Sequence, residues 1–266
     1  MIKLTEDNRM LGYELLSSFP NISHFTTTRA GGCSSGNYAS FNCTEYTGDN
    51  PEDVFRNQSL LLSSLPQVKQ LVIPRQVHDI RICVISSPEV VSSEALQGID
   101  ALITNQQGFC LCISTADCIP ILLYDTKKQV IAAIHAGWRG TVNGIAQKVI
   151  REMECVYDTC AADVVACIGP GISLQSFEVG QEVYEAFQNA EFQMDRISLW
   201  NATTEKHHID LWEANRIQLE ECGVQPSNIQ CADICTYEEH ETFFSARRLG
   251  IASGRILSGI MLKFNS

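Results

Sequence analysis

A thiol and an imidazole, Cys118 and His135, stand out as the side chains best placed to do chemistry. They fall in the stretch from Gly98 to Gly140. It contains Gly-Ile-Asp-Ala-Leu-Ile-Thr at 98–104, Thr-Ala-Asp-Cys-Ile-Pro at 115–120 and Val-Ile-Ala-Ala-Ile-His-Ala-Gly-Trp-Arg-Gly-Thr at 130–141. In each piece a short apolar run adjoins a reactive or charged side chain, which is how a strand delivers chemistry to the rim of a sheet. His78 is a third candidate. The segment Gln76 to Ile85 alternates, placing His78 with Ile80, Ile82 and Val84 on one face of a strand, where a lone histidine is more often a packed core residue than a ligand. Its company raises its standing, because the chain has only six histidines and two of them lie at strand ends near a cysteine that could be a thiolate.

The elements around these residues follow from their spacing. Val130 to Ile134 has no polar residue and is short enough to be a buried strand, which puts His135 at a strand end. From Val142 the apolar positions Val142, Ile145, Ala146, Val149, Ile150 and Met153 recur at helical spacing, with Thr141 as N-cap. Arg139 then lies beside a helix N-terminus, where exposed N–H groups, the dipole and a guanidinium together suit a phosphate or carboxylate. The plainer alternative is a strand–turn–helix junction with a surface arginine. Upstream, Ile22 to Thr28 reads as a strand leading into a glycine-rich loop that starts at Arg29 and could either wrap a ligand or simply connect a hairpin. Asn50-Pro-Glu-Asp caps a helix whose stripe is Val54, Phe55, Leu61, Leu62 and Leu65. Downstream, Asp163 to Ile168 reads as a strand, and a helix follows with Glu178 near its start. An Asp210–Glu213 capping box opens another helix, preceded by His207 and His208 as surface residues. Strands at Ile229 to Cys235 and Arg255 to Phe264 bracket Arg247 and Arg248, which read as a second anion clamp or a solvated basic pair.

Composition narrows the function. The 266 residues, 45% hydrophobic and 19% charged, suit a soluble globular protein with a substantial core. A net charge of −12 argues against nucleic acid or an anionic membrane as partner. No apolar run approaches a membrane span and the charged start is no signal peptide, so a cytoplasmic location is expected. The twelve cysteines are then mostly small core hydrophobes in a reducing compartment, and their spacing includes no Cys-x-x-Cys. No Gly-x-Gly-x-x-Gly follows a strand and no Walker loop appears. Loosely alternating helices and strands, with several strands adjacent, predict an α+β fold with mixed or antiparallel sheets and helices outside.

Gln-Val-His at 76–78, Asp-Ala-Leu-Ile-Thr at 100–104, Ala-Asp-Cys-Ile-Pro at 116–120, His-Ala-Gly-Trp-Arg-Gly at 135–140, Ile-Gly-Pro-Gly-Ile at 168–172 and Phe-Ser-Ala-Arg-Arg at 244–248 together resemble the YfiH-like, or laccase-domain, family. The likeness runs from the Thr-Thr-Arg-Ala-Gly-Gly loop at 27–32 to Gly254 and Arg255. It implies one domain over residues 1–266 with an α/β/β/α layered arrangement. It also implies a metal site made of His78, Cys118 and His135. Three N and S ligands with an open fourth position is the layout of a catalytic zinc, which lowers the pKa of a bound water to roughly 7. Copper is the other metal such a set can hold.

Family members resemble purine nucleoside phosphorylases that also deaminate adenosine and cleave methylthioadenosine, so purine nucleosides and phosphate are the expected partners. Deamination calls for hydroxide at C6 and an acid for the departing ammonia, for which Asp100 or Asp117 is nearest in sequence. Phosphorolysis calls for phosphate beside the anomeric carbon, with Arg139 as holder and Arg247 in support. Arg29, Gln76 and Glu178 complete the expected substrate-binding set. Three rival readings stand beside this one. The first is a copper-dependent polyphenol oxidase, although a multicopper cluster needs more imidazoles than six. The second is a Cys–His hydrolase acting on peptidoglycan precursors, with Cys118 as nucleophile and His135 as base. The third is a non-catalytic binding protein.

Overall fold

The computed structural model describes residues 1–87 and 91–264. Its strands in chain order are β1 (Ile2–Lys3), β2 (Met10–Gly12), β3 (Ile22–Thr27), β4 (Gln70–Val72), β5 (Ile82–Ile85), β6 (Ala101–Thr104), β7 (Phe109–Thr115), β8 (Ile119–Asp125), β9 (Val130–Ala136), β10 (Val164–Ile168), β11 (Glu178–Val179), β12 (Ser198–Asn201), β13 (Lys206–Ile209), β14 (Ile229–Cys231) and β15 (Ile256–Leu262). Its helices are α1 (Glu14–Ser17), α2 (Pro51–Ser63), α3 (Trp138–Val142), α4 (Ile145–Tyr157), α5 (Gln181–Asn189), α6 (Met194–Ile197), α7 (Leu211–Glu221) and α8 (Ala246–Leu249).

Among the described residues the strands form two six-stranded sheets, β1-β2-β3-β15-β7-β4 and β14-β10-β8-β9-β6-β5, with a small third sheet β11-β13-β12. Both large sheets are mixed. In the first, only β4 runs parallel to its neighbour β7; in the second, the edge strands β14 and β5 are the parallel ones. Every residue of β7, β8 and β9 is buried. These strands are covered on both faces, which is why they read as near-continuous apolar runs and not as alternating ones.

Alternation still sorts their side chains. Val130, Ala132 and Ile134 of β9, with Ile119, Ile121 and Leu123 of β8, pack against Ala146, Val149, Ile150 and Met153 of α4 and against Ala214 and Ile217 of α7. Ile131 and Ala133, with Leu122 and Tyr124, pack instead against Leu111 and Ile113 of β7 and Ile260 of β15. On the far face of the first sheet, Cys110, Cys112, Leu257 and Met261 meet Leu61 of α2. Helix, sheet, sheet, helix is therefore the order of layers, as the resemblance implies.

Several local expectations need correction. The 76–85 alternation yields a strand only from Ile82; Gln76 to Arg81 is irregular, with His78 in the left-handed region at φ 63°. Three consecutive N–H groups there, of Val77, His78 and Asp79, donate to the Asp100 carboxylate, and this curls the chain into an anion nest instead of a strand. Thr141 is not an N-cap. The chain forms the short α3 first, breaks at Gly144 (φ 71°), and only then enters α4. Arg139 thus sits inside α3 and is exposed. Glu178 lies in β11, not at a helix start, and α5 begins at Gln181. His208 is buried in β13, not on the surface. In α2, Asn50 does cap, but Phe55 and Leu62 face solvent while Val54 and Leu61 are buried. The Asp210 cap holds as read, accepting the Glu213 N–H at 3.0 Å. No helix among the described residues is long and apolar enough to cross a membrane.

Candidate metal centre

One end of the sandwich, where the two large sheets meet, carries the candidate chemistry. The β7–β8 connection crosses from the first sheet to the second and presents Cys118 on the way. His135 comes from the C-terminal end of β9, where its register partner is Pro120 of β8. His78 arrives from the nest before β5. One ligand atom from each of His78, Cys118 and His135 lies within 4.8 Å of the others, and the two imidazole rings stand 4.7 Å apart, nearly perpendicular.

Two carboxylates hold this geometry. Asp100, fully buried just before β6, accepts three backbone N–H groups from residues 77–79, and its Oδ1 also takes His135 Nδ1 at 2.7 Å. With Nδ1 engaged, His135 has Nε2 left to face Cys118 and His78, the usual way a carboxylate fixes the tautomer of a ligating histidine. Asp117 stands in the left-handed region at φ 85°, beside Cys118. Its Oδ1 accepts the Thr236 hydroxyl and its Oδ2 the Arg247 N–H, each at 2.7 Å. A non-glycine residue with such a φ stores strain that its surroundings must hold, and here the strained turn aims the thiol. Gly137 is needed for a similar reason: a Cβ there would come within 3.1 Å of both Cys118 Sγ and His78 Cδ2.

The electrostatics follow from these contacts. Burial alone would push the Cys118 thiol up, but the two imidazoles outweigh it and bring the thiol down to about 6. Burial would push His135 down, yet Cys118 and Asp100 raise it to about 9. Asp100 is opposed by burial too, and the hydrogen bond and charge of His135 with the backbone N–H groups hold its carboxyl below the usual carboxylate range. Without a metal Cys118 and His135 thus form a thiolate–imidazolium pair; once the Nε2 proton is given up, the donor set is a thiolate and two imidazoles, which fits a borderline-soft divalent ion.

The trio lines a cavity of about 280 Å³ whose other walls include Tyr46, Gln76, Ser114, Thr115 and Arg255. Of the sequence-expected substrate-binding residues, Gln76 alone is in this wall, with its amide paired to the backbone of Ser114 (2.8 Å in each direction). Arg29 instead donates to the carbonyls of Ala39 and His240. Arg139 lies over the Trp138 ring, 4.3 Å from its centroid. Glu178 pairs with Lys206 at 3.0 Å, and its carbonyl accepts the Arg247 guanidinium. Asp100 and Asp117, the expected proton donors, both accept hydrogen bonds from the protein at each carboxylate oxygen, and neither is in the cavity wall.

Tyr46, Ser114, Thr115 and Arg255 are polar residues of the cavity wall to which the sequence pattern assigns no role. Arg255 had a signal. It directly precedes the apolar run of β15, the mirror image of His135 closing the run of β9.

Residues 23–263 match a family model described as multi-copper polyphenol oxidoreductase laccase. A purine nucleoside phosphorylase of Bacteroides thetaiotaomicron is 59% identical, over 98% of this chain and 99% of that protein. Adenosine deaminase RL5, from an unknown prokaryotic organism, is 41% identical over 94% and 97%. Among solved structures, the Bacillus licheniformis hypothetical protein YfiH superposes with a TM-score of 0.88 at 28% identity, covering 97% of this chain and 98% of that one.

Proposed function

The chain belongs to the multi-copper polyphenol oxidoreductase laccase family, and on that footing we propose that it is a zinc-dependent purine nucleoside phosphorylase that also deaminates adenosine. The observation that carries this reading is the convergence of His78, Cys118 and His135 at a cavity wall, in a chain whose relatives are named for those two activities. When bound by these three residues, zinc supplies Lewis acidity and lowers the pKa of a coordinated water to roughly 7.

The protein's own groups do the rest. Asp100 locks His135 in one tautomer and holds the His78 nest, so both rings are fixed before substrate arrives. The cavity receives the nucleoside. In phosphorolysis a phosphate oxygen bonds to the anomeric carbon as the bond to N9 breaks, and adenine leaves with the proton that phosphate gives up. In deamination, water replaces the 6-amino group and ammonia departs. Tyr46 is the hydroxyl of the cavity wall assigned to the proton transfer, its O–H donating to Gln76 Oε1 at 3.4 Å.

The six histidines of the chain support one mononuclear centre better than a multicopper cluster. Zinc rather than copper in protein purified without added metal, with no oxygen uptake on a phenol, is the expected outcome. One observation favours a second reading: a thiol brought to about 6 beside a histidine is also a competent nucleophile for amide hydrolysis. Metal retained through dialysis, with Cys118 resistant to alkylation, would exclude it. The function itself is tested by incubating metal-replete protein with adenosine, with and without phosphate. Adenine formed only with phosphate, together with some inosine, is predicted; adenosine unchanged under both conditions would refute the proposal.

A further inference from the structure

Two groups in the cavity are left unexplained by the metal trio. The Arg255 guanidinium, partly buried, donates through Nη1 to Ser253 O (2.7 Å), Gly254 O (3.0 Å) and Ser253 Oγ (3.2 Å), and through Nη2 to Ile251 O (2.9 Å). All four acceptors are neutral. Among the described residues no carboxylate pairs with Arg255, and its Nε–H and one Nη2–H have no acceptor. Burial opposes the charge of this guanidinium, with Tyr46, Cys118 and Asp117 close enough to favour it but none paired to it, and Nε–H with Nη2–H is the pair of donors by which a guanidinium grips an oxyanion. Thr115 is the second group. It is the register partner of Ile256, the residue after Arg255, and it is 1% exposed. Its Oγ1 has no hydrogen-bond partner, an arrangement a hydroxyl in a protein interior rarely keeps without a reason. Arg255 and Thr115 come to the cavity from the first sheet, whereas Cys118 and His135 come from the second.

We propose that Arg255 and Thr115 form the subsite for inorganic phosphate, on the wall contributed by the first sheet, so that a nucleoside lies between the phosphate and the metal trio. The inference rests on the phosphorolysis reading and replaces Arg139 and Arg247 as the phosphate holders. The Arg255 fork takes two phosphate oxygens and the Thr115 hydroxyl donates to a third. The remaining oxygen is free to bond to the anomeric carbon as the electron pair of the broken bond goes to N9 and the proton of phosphate follows to the purine.

The test is calorimetric titration of inorganic phosphate into the metal-loaded full chain, together with the Michaelis constant for phosphate. Arg255→Met is expected to weaken phosphate binding by more than about tenfold, and Arg255→Lys by less, because a point charge replaces a fork. Arg255 also ties down the 251–254 loop, so Thr115→Val provides the control. Its hydroxyl has no internal partner, so valine should leave the melting temperature unchanged or higher while phosphate binding weakens about three- to tenfold. Metal content should stay equal in all variants. Wild-type phosphate affinity in both Arg255→Met and Thr115→Val would overturn the subsite, as would a wild-type protein that binds no phosphate at millimolar concentration. Adenosine turnover indifferent to phosphate, in a protein whose phosphate binding depends on Arg255, would instead sink the phosphorolysis reading and leave the subsite standing.

Discussion

His24, in the middle of β3, and His135, near the end of β9, are both buried, 7% and 3% exposed, yet their imidazoles are driven in opposite directions. Burial pushes His24 down to about 4; its Nε2 accepts the Tyr13 N–H at 2.9 Å, and no carboxylate among its contacts offsets the desolvation. At His135 the same burial is overcome by Cys118 and Asp100, which lift it to about 9. One ring is a satisfied core residue and the other is part of a charged, convergent cluster. Burial therefore does not mark a functional histidine. What marks it is the pair of partners, Asp100 and Cys118, which arrive from other elements, the thiol through the strained turn at Asp117.

Breaking the convergent side gives the largest effect. Cys118→Ser removes the softest ligand, and metal content after dialysis should fall to near zero, with turnover dropping by more than the roughly hundredfold that loss of an outer-shell partner costs. Elemental analysis and adenosine turnover check it. The His24 side yields the next largest effect, a pH effect with a definite sign. Its folded pKa of about 4 is below the ordinary 6.5, so the folded state binds fewer protons; stability is full above 6.5 and is lost as pH falls toward 4. The loss should approach about 3 kcal/mol, and His24→Gln should remove that part of the slope between urea melts at pH 7 and pH 4.5. A slope identical in wild type and variant would break the contrast.

Asp100→Asn sharpens the other half. The amide cannot accept from four donors, so metal affinity should fall about ten- to a hundredfold by chelator competition, with the ligands themselves intact. Unchanged affinity would mean that the carboxylate does not position the rings. The smallest effect is expected at Arg139→Ala, since the guanidinium lies exposed over Trp138; the Michaelis constant for phosphate should stay within about twofold. A tenfold rise there would return the phosphate site to α3.

Much of the layered fold was legible because buried strands leave a plain trace: Val130 to Ile134, and the 229–235 and 255–264 runs, all contain strands close to where the pattern puts them. Cys118, His135 and the Asp210 cap could be read for the same reason, since each adjoins such a run or obeys a local rule. The misreadings come from long-range contacts. The period-two pattern at 76–81 carries no sign that Asp100, more than twenty residues on, will capture three of its N–H groups. Gly144 splits what reads as one helix, because a glycine at positive φ is invisible to apolar spacing. Arg255 and Thr115 become neighbours only through the pairing of β15 with β7, which no local pattern records.

X-ray absorption at the metal edge of protein purified without added metal tests the central claim most directly. One equivalent of zinc is expected, with a single sulfur at ~2.3 Å and two imidazole nitrogens at ~2.0 Å, and loss of the sulfur shell in Cys118→Ser. A metal-free protein, or a metal whose shell contains no sulfur, would contradict it.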